Sequence, residues 1–89
     1  MNQSVIFSDS CQWDAERSAI HFVAQQQGMT IDCYISLAVL QTLSGTEGGQ
    51  PQQAIELFEQ CRFDIEDTAQ ELIDQEAVDE QGCLVINSI

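Results

Sequence analysis

One histidine and one aspartate form the first group of residues that could do chemistry. His21 and Asp32 lie in two segments where apolar and polar residues alternate, as in neighbouring β-strands. We expect a hairpin that sets these two side chains opposite each other on one face. A histidine oriented by a carboxylate can act as a general base, but the nearest thiol, Cys33, is expected on the other face. We therefore predict no catalytic residue and interpret His21 and Asp32 as a solvated polar pair.

Carboxylates along one predicted helix form the second group. Five of them recur at helical spacing within residues 51–78: Glu59, Glu66, Asp67, Glu71 and Asp74. Carboxylate-bridged metal centres in helical proteins use facing helices and a Glu-x-x-His step, and this segment has no histidine. The Asp-x-Asp-x-Asp-Gly spacing of calcium loops is also absent. We expect no metal and no cofactor, and we interpret these five residues as a solvated acidic face that can meet a protein partner.

The cysteines do not indicate a metal site. Cys11, Cys33, Cys61 and Cys83 are far apart, include no Cys-x-x-Cys pair, and match no zinc spacing with the single histidine. In a reducing compartment we expect four thiols, at least two of them buried. A phosphate-binding glycine loop, a nucleophile elbow and a His-Glu-x-x-His motif are absent from the sequence as well. The sequence therefore argues against an enzyme more than for one.

The charge balance restricts the class of partner. The 89 residues contain fifteen Asp and Glu against two Arg and no Lys, a formal net charge of -13. Without a basic patch to neutralise phosphates, direct binding of nucleic acid is not expected, and an anionic membrane surface is disfavoured for the same reason. We therefore expect a protein partner, a basic one if it meets the acidic helix. Self-association into a homodimer is a further alternative.

The length and the N-terminal residues bear on organisation and location. Eighty-nine residues are too few for two independent cores, so we expect one domain over residues 1–89. The first residues carry no positive charge, and their apolar run is too short for a signal peptide. No stretch approaches the length needed to cross a bilayer. We therefore expect a soluble, cytoplasmic protein.

The clearest β signal comes from two alternating segments joined by a short link. Ser18–Ala24 and Met29–Ser36 alternate, and the link Gln25–Gly28 is short enough only for a hairpin. A one-residue slip would mix the two faces, so the buried face restricts the register. The pairs that we expect are Ile20 with Cys33, Phe22 with Ile31, Ala24 with Met29, Ala19 with Tyr34 and His21 with Asp32.

Capping residues and apolar periodicity predict the helices. Ser36 is a good N-cap for a short helix over Leu37–Ser44, and Gly45 is a good C-terminal stop. A flexible loop is expected at Thr46–Gln50. Pro51 then suits the first position of a second helix.

This second helix carries an apolar stripe that must be buried. It extends over Pro51–Val78 if it is continuous, and a break near Cys61–Asp64 into two helices, which would let Phe63 find cover, is the alternative. Arg62 is the only cation on it. We expect Arg62 to form an intrahelical network with Phe58, Glu59 and Glu66.

The remaining elements are short strands at the two ends. Val5–Phe7 reads as a strand that ends at the turn-forming residues Ser8–Ser10, followed by a compact connection around a buried Trp13. Cys83–Ile86 reads as a last strand, buried on both sides, either within the sheet or against another subunit. The sum is an α+β fold, β-β-β-α-α-β, with a small antiparallel sheet and the helices packed on one of its faces.

An ordered set of short motifs resembles a known family. The residues are Trp13-Asp14, Ile20-His21-Phe22, Cys33-Tyr34-Ile35, Phe58 with Arg62, Ile65-Glu66, Ala69 and Gln81-Gly82. Together they resemble a family of short proteobacterial proteins known as domain of unknown function 1488, over nearly the whole chain, from about Met1 to Gly82. The resemblance implies a stand-alone α+β domain of the bacterial cytoplasm. It implies no activity, cofactor or catalytic residue.

Two classes of function remain open from the sequence. The first is a small interaction or regulatory module whose acidic helix face meets a partner protein. The second is a small-molecule binder or enzyme with a pocket between helix and sheet near His21. A concave site containing His21, Tyr34 or a thiol with a perturbed pKa would favour the second class. A flat surface with a protruding acidic helix would favour the first.

Overall fold

The computed structural model describes residues 5–45 and 50–87, and within them it contains four strands and three helices. The elements are β1 (Ile6–Asp14), β2 (Ala19–Gln26), β3 (Met29–Ser36), α1 (Leu37–Ser44), α2 (Pro51–Gln60), α3 (Arg62–Asp74) and β4 (Leu84–Ile86). The strands form a sheet in the order β1-β2-β3-β4, and the helices pack on one face of it. The α+β fold is confirmed, with three helices between β3 and β4 where two were expected.

The sheet is mixed, because β4 runs parallel to β3. Tyr34 of β3 aligns with Val85 of β4 in this parallel pair. The expectation of an entirely antiparallel sheet is therefore wrong at its last strand. Parallel neighbours need a long crossover connection, and the three helices supply it. Val85 is exposed, so the fold of the single chain buries this strand on one side only, and burial of the other side against another subunit stays a prediction.

The first strand is longer than the sequence indicated and contains a bulge. Ser8–Ser10, expected as a turn, belong to β1, and the pairing of β1 with β2 shifts between Phe7 and Cys11. A bulge inserts extra residues and interrupts the alternation of side chains, which explains why the strand seemed to end at Phe7. Trp13 lies in β1 and is half-buried against the core.

The register of the β2–β3 hairpin differs by two residues from the predicted one. His21 lies directly opposite Tyr34, and Asp32 lies opposite Val23. All five predicted pairs are therefore wrong by two positions. Because side chains alternate with a period of two, this shift leaves every side chain on its predicted face. The faces were predictable from the sequence, whereas the partners across the strands were not.

The turn of this hairpin explains the register. Gln26 pairs with Met29, so the loop contains only Gln27 and Gly28, with φ angles of 55° and 80°. Two positive φ values in a two-residue loop are typical of a type I′ turn, which matches the twist of the flanking strands. The predicted link of four residues is thus two residues too long.

The caps of the helices agree with those predicted from the sequence. The side chain of Ser36 accepts a hydrogen bond of 3.2 Å from the backbone N–H of Val39, and α1 ends at Gly45 in the left-handed conformation. Pro51 is the first residue of α2, as predicted, and Gln50 caps that helix. Residues 46–49 of the predicted loop lie outside the described residues.

The long helix is broken at Cys61, so the alternative of two helices is confirmed. The backbone N–H of Cys61 donates hydrogen bonds to the carbonyls of both Leu57 and Phe58, and α3 begins at the next residue. α3 ends at Asp74, short of the predicted end at Val78. The break does not cover Phe63, whose exposed fraction is 82%; that expectation is wrong.

The core lies between the helices and one face of the sheet. The rings of Phe22 from β2 and Phe58 from α2 contact each other at a centroid distance of 5.0 Å. The largest side chains completely buried there also include Ile20, Ile35, Leu40, Ile65, Leu84 and Ile86. All four cysteines are free thiols, but only Cys33 is buried and the other three are half-buried. The expectation of at least two buried thiols is therefore wrong.

Candidate functional site

The exposed face of α3 combines one aromatic side chain with three carboxylates. Phe63, Asp67, Glu71 and Asp74 follow one another at steps of four, four and three residues, which places them on one side of the helix. All four are exposed, while Ile65 on the other side of α3 is completely buried. We call these four residues the α3 stripe.

Phe63 is the most exposed large hydrophobic side chain in the described part of the chain. A single exposed apolar residue is common on protein surfaces. Phe63 differs in its position, because it begins a stripe that continues with carboxylates only. An exposed aromatic ring bordered by charges has the composition of an interface anchor.

Two of the five predicted partner-binding carboxylates are engaged elsewhere. Arg62 binds Glu59 at 3.0 Å and Glu66 at 2.9 Å, and its guanidinium lies 5.6 Å from the centroid of the Phe58 ring. This confirms the predicted network, although the break at Cys61 places Phe58 and Glu59 on α2 and Arg62 and Glu66 on α3. Arg62 also donates a hydrogen bond to the backbone carbonyl of Ser8 in β1. Arg62 therefore links α2, α3 and β1, and Glu59 and Glu66 hold its guanidinium in place.

The other three carboxylates keep their charge unopposed. None of the ion pairs formed within residues 5–45 and 50–87 involves Asp67, Glu71 or Asp74. Their mutual repulsion is modest at these helical spacings. A cationic group that approaches the stripe meets three carboxylates in a row.

The second polar surface is the face of the sheet that the helices leave uncovered, which we call the open face. The pairing of the strands aligns one residue from each of the four strands on this face. The aligned residues are Gln12, His21, Tyr34 and Val85.

His21 and Asp32 do form a contact on the open face, although they are not opposite each other. Nε2 of His21 lies 3.0 Å from Oδ1 of Asp32, and the His21 ring stacks on Tyr34 at a centroid distance of 4.9 Å. The polar pair is thus diagonal across β2 and β3. The thiol of Cys33 lies on the opposite face and donates to the Ile31 carbonyl, so a base at His21 has no nucleophile beside it.

Arg17 completes the group on the open face, and sequence reasoning missed it. Its guanidinium lies 4.1 Å from the centroid of the Tyr34 ring, a cation–π contact. Tyr34 therefore contacts both Arg17 and His21. The available signal was composition, since Arg17 is one of only two Arg in an acidic chain without Lys.

Three of the thiols have a raised pKa. Burial, together with the charge of Asp32, raises the pKa of Cys33 to about 12. Burial is also the main cause of the raised pKa of Cys61, and for Cys11 burial is assisted by the nearby Glu59 carboxylate. Reactive cysteines have a lowered pKa. These thiols therefore make poor nucleophiles.

The concave surfaces do not favour a small-molecule site near His21. His21 faces away from the helices, so a pocket between helix and sheet cannot include it. A depression of about 310 Å³ beside the β1 bulge is lined by Ile6, Phe7, Ser8, Val23 and Gln25. None of these five side chains titrates. In the described residues, no cluster of His, Cys, Asp and Glu could hold a metal ion.

The helices are also too short or too polar for a membrane span. Within residues 5–45 and 50–87, no helix has the length and the apolar composition needed to cross a bilayer.

Comparisons with known proteins agree on one family. Residues 5–86 match the family described as Protein of unknown function (DUF1488). The chain is 36% identical over 85 residues to Uncharacterized protein YrdB of Escherichia coli (strain K12), covering 92% of this chain and 94% of that protein. The same values hold for YrdB of Shigella flexneri. A crystal structure of a protein of unknown function from the same family, from Shewanella loihica PV-4, has a TM-score of 0.93 and 53% identity over 99% of this chain and 97% of that chain.

Proposed function

The chain belongs to the family described as Protein of unknown function (DUF1488), and we propose that it is a cytoplasmic interaction module that binds a basic partner protein through the α3 stripe. Phe63 is the apolar anchor of this surface, and Asp67, Glu71 and Asp74 select a cationic partner. Glu59 and Glu66 support the surface by holding Arg62.

The observation that carries this proposal is the exposure of Phe63 at the head of three unpaired carboxylates. Folding leaves an 82% exposed aromatic ring, whose burial by a partner would contribute about 1.5–3 kcal/mol. Aromatic residues are enriched among the few side chains that dominate binding energy. The carboxylates contribute more to association rate and specificity than to affinity.

The expected partner surface is complementary in shape and charge. It offers an apolar pocket for one aromatic ring, with Lys or Arg side chains on one side of that pocket. A net charge of -13 attracts such a surface from a distance. Association is therefore fast at low salt and slower as salt rises.

An affinity capture from the source lysate tests the proposal with two matched variants. The stripe variant carries Asp67→Asn, Glu71→Gln and Asp74→Asn. The control variant carries Glu16→Gln, Glu56→Gln and Glu80→Gln, three exposed carboxylates outside the stripe. Both variants lose three negative charges, so they separate the stripe from net charge.

We expect a partner that wild type and the control variant retain at low salt, and that high salt or the stripe variant releases. Phe63→Ala should weaken the complex at least about tenfold, which corresponds to about 1.4 kcal/mol. Equal loss in both triple variants would mean that net charge alone attracts the partner. Retention by the stripe variant would contradict the proposal.

A further inference from the structure

We infer that the open face is the contact surface of a homodimer in which two copies of this chain pack sheet against sheet. This surface is distinct from the α3 stripe, so the inference goes beyond the proposed function. Helices cover one face of the sheet, and the dimer would cover the other.

The composition of the open face suits a sheet-to-sheet contact. Tyr34 lies at its centre between His21 and Val85, and Val23 and Ile6 add apolar surface on the same face. Val85 and Ile6 are both exposed. Tyrosine combines a large apolar area with a polar tip and is enriched at interfaces.

The charge on the open face is self-complementary. Arg62 already binds two carboxylates, whereas Arg17 has no carboxylate within ion-pair distance among the described residues. Arg17 lies over Tyr34, and Asp32 lies on the same face beside His21. In a twofold dimer, residue i of one copy meets residue j of the other and j meets i. Arg17 of each copy can therefore pair with Asp32 of its partner.

The charge of Arg17 also reduces the repulsion between two copies at this face. The copies repel each other because each has a net charge of -13. The open face carries Arg17 together with Asp14 and Asp32, so the charge of Arg17 offsets part of the repulsion there. The dimer leaves both α3 stripes on its outer sides, available to partners.

The dimensions of the face set the strength of the dimer. The two central strands have eight residues each. With four strands about 4.8 Å apart and a rise of about 3.3 Å per residue, the face measures at most roughly 15 by 27 Å. A standard interface buries about 800 Å² per partner, and the open face is smaller than that. We therefore expect a weak dimer with a Kd in the micromolar range.

Sedimentation equilibrium of the purified full chain tests the dimer. Wild type should pass from monomer to dimer across micromolar concentrations, and added NaCl should increase the dimer fraction by screening the repulsion between copies. Binding at the α3 stripe has the opposite salt dependence. The stripe variant with three amides should still dimerise, so failure of one proposal is distinguishable from failure of the other.

A charge exchange tests the pairing of Arg17 with Asp32. The Arg17→Asp variant and the Asp32→Arg variant should each be monomeric, because each places like charges opposite each other. An equimolar mixture should dimerise again, because one native pair of Arg17 with Asp32 remains and the two substituted positions form a second pair with reversed charges. Circular dichroism checks that both variants fold.

A third variant keeps the test decisive if the exchange disturbs folding. Gln12→Glu adds a carboxylate at an exposed position in the aligned row and should weaken the dimer at least tenfold. A monomer at all concentrations, a dimer that ignores all three variants, or a mixture that stays monomeric would overturn the inference. A dimer that only the stripe variant disrupts would assign self-association to α3 instead.

Discussion

At the scale of single residues, the two arginines have different roles. Arg62 is mostly buried, with 18% of its side chain exposed, and it joins Glu59, Glu66 and the Ser8 carbonyl. Arg17 is exposed and contacts the Tyr34 ring. In a chain with so few cations, the loss of either one changes net charge equally. Their effects on stability should nevertheless differ.

Arg62→Ala should destabilise the fold by about 2 kcal/mol. It removes two ion pairs of about 0.2–1 kcal/mol each and a charged hydrogen bond of about 1.5–3 kcal/mol, which do not add fully. Arg17→Ala is the matched control and should cost under about 1 kcal/mol, the value of an exposed cation–π contact. Urea unfolding measures both. Equal losses would contradict the structural role of Arg62.

Cys33 should make stability depend on alkaline pH. Burial and the charge of Asp32 raise its pKa from 9.0 to about 12, so the folded protein keeps the proton that the unfolded chain releases above pH 9. The contribution of Cys33 is therefore complete below pH 9 and is lost as pH rises toward 12. Cys33→Ala should reduce the slope of unfolding free energy against pH by at most about 1.4 kcal/mol per unit. An unchanged slope in urea titrations would contradict this assignment.

Some residue contacts were predictable and others were not. The Arg62 network with Glu59 and Glu66 follows from helical spacing alone. The bond from Arg62 to Ser8 joins residues far apart in sequence, and only tertiary packing brings them together. His21 and Asp32 were predicted to lie directly opposite each other, which is wrong. They still make contact, because side chains on one face can also meet along a diagonal.

At the scale of elements, the orientation of α3 decides which residues form the candidate site. The break at Cys61 lets Ile65 and Ala69 face the core while Phe63 points outward. A continuous apolar stripe in the sequence contains no information about a small rotation between two helices. Phe63 lies off that stripe, and the alternative of a break was expected to let it find cover; the break leaves it exposed, so the anchor of the α3 stripe was missed.

Capping chemistry predicted elements better than periodicity did. Ser36 and Gly45 defined α1 to the residue, because side-chain caps and left-handed glycine act locally. The strand β1 was predicted to end too early, because its bulge interrupts the alternation of apolar and polar residues. The parallel direction of β4 depends on the path of three helices, which no local pattern encodes.

The β2–β3 turn should respond in opposite directions to two substitutions. Gly28→Ala should destabilise the fold by about 1 kcal/mol, because φ is 80° there and the added Cβ meets no neighbour that could contribute packing. Gln27→Asn should stabilise it by a few tenths of a kcal/mol, since asparagine tolerates positive φ in type I′ turns. Thermal unfolding compares them. Destabilisation by Gln27→Asn would contradict the two-residue turn.

At the scale of the whole molecule, repulsion between like charges dominates the electrostatic interactions. The longest extent is 37 Å, so at 0.01 M salt, where the Debye length is about 30 Å, nearly all charges repel one another. Such repulsion opposes the compact state. The same charges would attract the cationic partner that we propose.

Salt should therefore stabilise the fold. Between about 0.01 M and about 1 M NaCl, the Debye length falls from about 30 Å to about 3 Å, and we expect Tm to rise by several degrees. The variant Glu16→Gln, Glu56→Gln, Glu80→Gln should have a higher Tm at low salt and a smaller salt response. Differential scanning calorimetry measures both. A Tm that falls with NaCl, or a variant that matches wild type, would contradict dominant repulsion.

A dimer would combine the two surfaces of the molecule. With the open faces in contact, each assembly presents two α3 stripes on opposite sides. Two stripes can bind one partner that carries two basic sites, and linked binding raises overall affinity without any new contact. The weak dimer would then become stable only in the presence of such a partner.

The most direct measurement of the α3 stripe as a binding surface is photo-cross-linking in the source cells. A photoreactive phenylalanine analogue replaces Phe63 in one strain and Met29, another exposed apolar residue, in the control strain. We expect one discrete cross-linked partner at position 63, none at position 29, and loss of the product when Asp67, Glu71 and Asp74 become amides. No product at position 63, equal products at both positions, or a product that persists in the amide variant would contradict binding through the α3 stripe.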